Sequence, residues 1–128
     1  MISGTVTANR EAVLRLTIFD TNDQPHELSA IIDTGFNGNL TLPSDLVSAL
    51  ELTCVRLVRA ILADGSEIIS NVYEARVLWD GKPVTISVSE ANADPLVGMS
   101  LMYGYELVMP IVDGATFTLR SIANPSPG

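Results

Sequence analysis

The segment of the chain with the clearest chemical potential is Ile31-Ile32-Asp33-Thr34-Gly35, in which two branched apolar residues lead into an acidic one. A carboxylate placed at the end of a buried strand can take a proton from a water molecule and act as a general base. The following glycine has no side chain, so water and another backbone can approach closely. Asp-Thr-Gly also forms ordinary β-turns, in which Asp caps its own backbone and Gly takes a positive φ. The tripeptide alone is therefore a weak signal.

The residues that follow the tripeptide favour a functional role over an ordinary turn. Phe36 and the loop Asn37-Gly38-Asn39 lead into a second apolar segment, Leu40-Thr41-Leu42, which predicts a short strand. A turn at the protein surface does not need apolar strands on both sides. We therefore expect Asp33 to be positioned by two strands of the core.

Other catalytic chemistries are limited by the presence of one cysteine, Cys54, and one histidine, His26. A single cysteine cannot form an internal disulfide. One cysteine and one histidine support neither a nucleophilic triad nor a zinc site of the usual kind, so we expect no metal and no other cofactor. Cys54 lies in an apolar strand-like run, which predicts a buried structural thiol. His26 follows a turn-like segment, which predicts an exposed side chain.

Composition excludes several classes of partner. With 15 acidic and 7 basic residues among 128, the net charge of −8 argues against nucleic-acid binding, which needs clustered Lys and Arg. No apolar run approaches the about 20 residues of a membrane helix, and the first seven residues lack the pattern of a signal peptide. A single cysteine fits a reducing compartment. We expect a soluble cytoplasmic protein with no membrane partner.

The periodicity of the chain predicts an all-β fold with frequent turns. Asp64-Gly65-Ser66, Asp80-Gly81 and Asp113-Gly114 mark hairpin turns, and the first turn of a helix is indicated at Pro43. We expect one domain over residues 1–123 and a disordered tail over 124–128. The predicted helix is Pro43–Leu50, and the predicted strands are Val13–Phe19, His26–Ile32, Leu40–Leu42, Thr53–Ala63, Glu67–Trp79, Lys82–Glu90, Glu106–Val112 and Ala115–Ile122.

Three segments together resemble the retropepsin-like (clan AA) aspartic proteases. Ile31-Ile32-Asp33-Thr34-Gly35-Phe36 looks like their active-site loop, and the Asp-Thr-Gly-Phe form resembles a bacterial subset. Pro95-Leu96-Val97-Gly98-Met99 resembles the late strand that threads beneath that loop and precedes a short helix, here Met99–Tyr103 ending at Gly104. Leu62–Glu67 occupies the place of the flap. The resemblance implies a single-domain half-pepsin closed barrel with one or two short helices.

The resemblance also implies an aspartic endopeptidase and a role for each residue of the site. Asp33, Thr34 and Gly35 are the catalytic residues, with the Thr34 hydroxyl fixing two facing loops across a subunit interface. Gly98 supports the loop by allowing a close approach, although it could also be a plain helix-entry glycine. The tip of the flap, which could equally be an ordinary hairpin turn, would contact substrate through Ala63, Asp64, Gly65 and Ser66. Viral flap tips are glycine-rich and apolar, so the acids of this one are a departure.

Peptide hydrolysis in this class needs a second carboxyl group, and the chain has no second Asp-Thr-Gly or Asp-Ser-Gly. Asp64, Asp80 and Asp113 each precede Gly directly, which is turn chemistry. We therefore expect a homodimer in which each copy supplies Asp33. A peptide or unfolded protein would lie between the subunits. Two terminal strands, Ile2–Thr7 and Thr116–Ile122, are the predicted dimer sheet.

Two other hypotheses remain open from the sequence. The same fold could hold a peptide or a protein partner without cutting it, or the tripeptide could be a coincidence in a structural β-barrel. Aromatic and sulphur side chains outside the motifs are interpreted as packing residues, half-buried or buried. These are Trp79, Tyr103, Tyr105, Met99, Met102 and Met109.

Overall fold

Residues 1–122, the part of the chain that the computed structural model describes, form ten β-strands and two short helices. The strands are β1 (Ile2–Val6), β2 (Ala12–Phe19), β3 (Pro25–Ile32), β4 (Leu40–Leu42), β5 (Thr53–Ile61), β6 (Glu67–Trp79), β7 (Lys82–Glu90), β8 (Leu96–Val97), β9 (Tyr105–Val108) and β10 (Thr116–Ser121). The helices are α1 (Ser44–Ala49) and α2 (Met99–Met102). In this part of the chain no helix is long and apolar enough to cross a bilayer. The predicted tail, 124–128, lies outside the described residues.

The strands pair in the order β5-β6-β7-β4-β8-β3-β2-β1-β10-β9, and β6 also pairs with β2. This second pairing closes β6, β7, β4, β8, β3 and β2 into a ring. Strand β5 extends outward from β6, while β1, β10 and β9 extend from β2. The chain is therefore a mostly-β single domain with two short helices, in agreement with the predicted fold class.

The core lies on the inner faces of these strands and follows their period of two. In β2 the side chains of Leu14, Leu16 and Ile18 are buried and share one face, as predicted, while Arg15 between them is exposed. Fully burying an aliphatic side chain stabilises the fold by about 1.5–3 kcal/mol. The largest fully buried side chains come from six strands and from the residue that ends α1. They include Phe117, Leu40, Leu42, Leu50, Leu119, Val77 and Val97.

Local turn chemistry is confirmed where a positive φ was predicted. Asp80 and Gly81 have φ of 54° and 79°, as a type I′ hairpin requires, and Gly104 ends α2 with φ of 88°. The strand predicted to run to Val112 ends at Val108 instead. Beyond it the backbone forms a turn, in which the Ala115 amide donates to the Val112 carbonyl at 3.0 Å.

Several predictions of burial are wrong. Cys54 is exposed, because β5 pairs only with β6 and every residue of β5 is exposed. Tyr103 is 88% exposed, although it was expected to be half-buried, and Met99 is 48% exposed, although it was expected to lie in the core. Trp79, by contrast, packs as predicted: its side chain is buried and contacts the Tyr105 ring edge-on, with 5.9 Å between ring centroids.

The terminal strands do not form an edge of the sheet. Strand β1 lies between β2 and β10, and β10 lies between β1 and β9. The structure of a single chain does not test the prediction that these two strands make the dimer sheet, and β1 pairs with β2 only at Thr5 and Val6. The edges of the sheet are β5 and β9.

Candidate active site

The loop that joins β3 to β4, residues 33–39, carries the predicted catalytic tripeptide. The half-buried Asp33 follows the last residue of β3, and its amide donates to the Val97 carbonyl at 2.9 Å. Its Oδ1 accepts the Gly35 amide at 2.9 Å, and its carbonyl accepts the Phe36 amide at 3.2 Å. Among residues 1–122, no side-chain or backbone group donates to Oδ2. One carboxylate oxygen is fixed by the turn and the other is available to a ligand.

The backbone of Gly35 is not left-handed, and the space for a side chain at this position is tight. It is not one of the glycines with positive φ, in contrast to Gly65. A Cβ atom at this position would lie 3.2 Å from the Asp33 Oδ1, close to the oxygen that the Gly35 amide binds. The ordinary turn, with Gly in a positive φ, is therefore not the arrangement that this loop adopts.

Strand β8 threads between the two strands that the loop connects. It pairs parallel with β3, placing Val97 beside Ile32, and antiparallel with β4, placing Val97 beside Leu40. The buried Thr41 adds a side-chain link, since its Oγ1 accepts the Leu96 amide at 3.1 Å. These bonds fix the position of the backbone from which Asp33 projects.

Gly98 lies beneath the loop with no space for a side chain. A Cβ atom there would lie 2.2 Å from the Gly38 carbonyl oxygen and 2.5 Å from the Phe36 ring. Three successive amides donate to loop carbonyls: Gly98 to Asn39 at 3.0 Å, Met99 to Phe36 at 2.8 Å and Ser100 to Gly38 at 3.1 Å. The start of α2 and the 33–39 loop therefore form one hydrogen-bonded unit. This geometry favours the close approach over a plain helix-entry glycine.

Thr34 is exposed and lines two cavities, of about 290 and 350 Å³, on the surface beside Asp33. Leu107 also lines both, so β9 is the strand next to the tripeptide. Sequence reasoning missed this neighbour, because no motif marks Leu107 and only a weak alternation marks its strand. The first cavity is otherwise lined by Met99, Met102, Tyr103, Gly104, Tyr105 and Leu119, and the second by Arg10, Glu11, Ala12, Ile31, Ile32 and Met109.

No protein-family profile and no curated protein sequence matches the chain. Solved structures do match it. One is a retropepsin-like aspartic protease from Rickettsia conorii, with a TM-score of 0.58 and 18% identity over 95% of this chain and 91% of that one. Another is EIAV protease complexed with the inhibitor HBY-793, with a TM-score of 0.56 and 18% identity over 80% of this chain and 96% of that one. The chain has a retropepsin-like fold.

In this retropepsin-like chain the predicted flap is the β5–β6 hairpin. At its tip Asp64 Oδ1 accepts the Ser66 amide at 2.9 Å and the Ser66 hydroxyl at 2.6 Å, and these bonds lower the pKa of Asp64. Gly65 has a φ of 86° and no atom near its Cβ position. Ala63, Asp64, Gly65 and Ser66 are all exposed. Within residues 1–122 no hydrogen bond joins this tip to the Asp33 loop.

A single half-buried carboxylate with one available oxygen can serve as an acid or as a base in a given step, but not as both. Residues 1–122 contain no group of three or more His, Cys, Asp or Glu side chains that could hold a metal ion. Asp33 can therefore take either of these roles, and the cavity that Thr34, Met99 and Met102 line beside it is mainly apolar.

Proposed function

We propose that this chain is an aspartic endopeptidase that works as a homodimer, with Asp33 of each subunit forming the catalytic pair. The observation that carries the proposal is the placement of Asp33, which leaves β3 in a turn held from beneath by β8 and Gly98. The retropepsin-like fold supports it, since the matched structures are aspartic proteases. The Asp-Thr-Gly-Phe form of the motif, Asp33–Phe36, supports assignment to the bacterial type.

In the proposed mechanism two Asp33 carboxyl groups share a single proton, because two nearby carboxylates repel each other. The ionised one takes a proton from water as the water attacks the scissile carbonyl, and the protonated one donates to the carbonyl oxygen. Gly35 leaves room beside the carboxylate for this water. Thr34 is exposed next to Asp33, and its hydroxyl would donate a hydrogen bond to the same loop of the second subunit.

The proposed substrate is an extended peptide or a segment of an unfolded protein. An extended chain offers backbone groups for hydrogen bonding and places alternate side chains on one face, where apolar cavities can accept them. The cavity that Thr34 lines together with Met99, Met102 and Tyr103 is mainly apolar and suits such side chains. The flap tip would close over the peptide, with Asp64 tied to Ser66 rather than free to bind substrate. We place the enzyme in the cytoplasm, which its single cysteine supports.

The test is cleavage of a mixture of unstructured peptides at mildly acidic pH, followed by mass spectrometry, for wild type and Asp33→Asn. Loss of an acid–base group lowers the rate by at least about 100-fold, so Asp33→Asn should be nearly inactive. The control Asp45→Asn removes an exposed acid of α1 and should cleave normally. Equal cleavage by wild type and Asp33→Asn would sink the catalytic assignment. Binding of the peptides by wild type without cleavage would favour the non-catalytic alternative.

A further inference from the structure

The turn between β1 and β2 holds an arginine in a backbone conformation that suits glycine. The Arg10 amide donates to the Thr7 carbonyl at 2.9 Å, and the Thr7 amide donates to the Glu11 carbonyl at 2.8 Å. This is a three-residue hairpin loop whose last residue takes a left-handed backbone, and Arg10 has a φ of 63°. Glycine adopts that backbone without strain, whereas a residue with a side chain does not. Arginine at this position therefore indicates a use for its side chain.

The turn between β2 and β3 has the same geometry and shows what such a use can be. The Asp23 amide donates to the Asp20 carbonyl and the Asp20 amide to the Gln24 carbonyl, both at 3.0 Å, and Asp23 has a φ of 60°. The Asp23 carboxylate binds the Arg76 guanidinium at 2.6 Å. Arg10 differs, because within residues 1–122 it takes part in no ion pair. Its charge is therefore available to a ligand.

Arg10 lines the cavity of about 350 Å³ that lies beside Asp33. Ile32 and Thr34, which flank Asp33 in the chain, line the same cavity. Most of the other residues around it are apolar, and Glu11 is the one acid among the described residues that line it. A guanidinium can bind a carboxylate through two parallel hydrogen bonds, and apolar surroundings strengthen such a pair. The cavity therefore suits a ligand side chain that ends in a carboxylate.

The neighbouring cavity carries charge of the opposite sign. It has a volume of about 270 Å³, shares Glu11 and Ile31 with the first cavity, and is also lined by Asp94. Glu11 thus lies at the boundary between the two cavities, while Arg10 lines the one beside Asp33. Because the chain has a net charge of −8, most of its surface repels a carboxylate. Arg10 makes the cavity beside Asp33 an exception.

We infer that Arg10 gives this chain a preference for substrates with an acidic side chain close to the scissile bond, whose carboxylate the Arg10 guanidinium binds. The inference rests on the proposed function, because the cavity receives a substrate side chain only when a peptide is bound at Asp33. Arg10 determines specificity and takes no part in the proton transfers. An exposed ion pair changes affinity by at most about fivefold, and this is the preference expected for Glu over Gln.

The test uses two sets of unstructured synthetic peptides with apolar central residues. Each peptide of the first set carries one Glu at a different position near the centre, and the second set has Gln in its place. At the position that meets Arg10, wild type should cut the Glu peptide with a kcat/KM about fivefold above that of its Gln partner. Arg10→Gly should remove this preference, and Arg10→Glu should reverse it.

The matched control is Asp23→Gly, which changes the same position of the other turn and lies outside the cavity. It should keep the wild-type preference. Arg10→Gly should fold, with a melting temperature no lower than that of wild type, because glycine fits a φ of 63°. An Arg10→Gly variant that still prefers Glu, or a wild type that cuts both sets equally, would overturn the inference while the endopeptidase assignment stands.

Peptide binding, measured by fluorescence anisotropy with labelled peptides, separates this inference from the proposed function. If wild type cuts neither set but binds the Glu set more tightly, and Arg10→Gly abolishes that difference, the selectivity of Arg10 stands and the endopeptidase assignment fails. If wild type neither cuts nor binds either set, both fail.

Discussion

Gly98 lies so close to Phe36 that a Cβ atom on the glycine would come within 2.5 Å of the phenylalanine ring and 2.7 Å of its carbonyl oxygen. The same carbonyl accepts the amide of Met99 at 2.8 Å. The contact joins two parts of the chain more than 60 positions apart, the Asp33 loop and the start of α2. Since Asp33 belongs to this loop, the absence of a side chain at Gly98 is a condition for the geometry of the site.

Gly98→Ala should lower the free energy of unfolding by about 3 kcal/mol, because the methyl group meets backbone that cannot move without breaking hydrogen bonds. Urea denaturation measures the change. The matched control is Gly81→Ala, where a Cβ atom meets nothing but φ is 79°, so the strain is about 1–2 kcal/mol. Equal losses in the two variants would contradict the close packing at Gly98.

Thr41→Val should destabilise the protein by about 1–3 kcal/mol, because the Leu96 amide loses the side-chain oxygen that it binds at 3.1 Å. Thr41 is 6% exposed, so water does not readily replace the lost partner. Thermal and urea unfolding measure the loss. Thr116→Val, at an exposed position of β10, is the control and should be nearly neutral. A neutral Thr41→Val would mean that the Leu96 amide finds another acceptor.

Local patterns predicted the turns, and a motif predicted the site. Asp80-Gly81 specifies its own hairpin, because the required positive φ is a property of those two residues. The passage of β8 between β3 and β4 is different, since it joins Val97 to Ile32 and Leu40 across long stretches of chain. No local periodicity encodes such a pairing. It was expected only because Leu96-Val97-Gly98 resembles a known segment.

Burial and strand edges could not be predicted from periodicity. Cys54 lies in an apolar run that is typical of a core strand, but β5 is an edge strand and its residues are exposed. The sequence around Leu107 does not indicate that its strand lies beside Thr34. The side-chain pattern of a strand is the same whether it pairs with one strand or with two. The order of strands is set by the whole fold, and only the structure reveals it.

Asp80 should make a pH-dependent contribution to stability. Its carboxylate accepts hydrogen bonds from the N-terminal ammonium and from the Tyr105 hydroxyl. Both bonds lower the pKa of Asp80 below its usual 3.8, and the bond from the ammonium has the larger effect. A lowered pKa stabilises the folded state above pH 3.8, and this contribution disappears as the pH falls through the folded value. Asp80→Asn should therefore unfold at a lower temperature than wild type near neutral pH, with the difference closing below pH 3.8.

The control for Asp80 is Asp94→Asn, an exposed loop acid, which should follow the wild-type stability profile. Tyr105 provides a second readout. Burial raises the pKa of Tyr105 above 10.0, and its hydrogen bond to Asp80 makes a smaller contribution in the same direction. In Asp80→Asn the absorbance of tyrosinate should appear at a lower pH than in wild type. An unchanged titration would show that Asp80 and Tyr105 do not interact in solution.

Cys54 should react with a thiol reagent such as Ellman's reagent in the native protein at a rate close to that of the urea-unfolded chain, because its side chain is exposed on β5. Cys54→Ser supplies the blank. Protection of Cys54 at every concentration would mean that the β5–β6 hairpin folds back onto its own domain. Protection that appears only in concentrated protein would mean that a second copy covers β5.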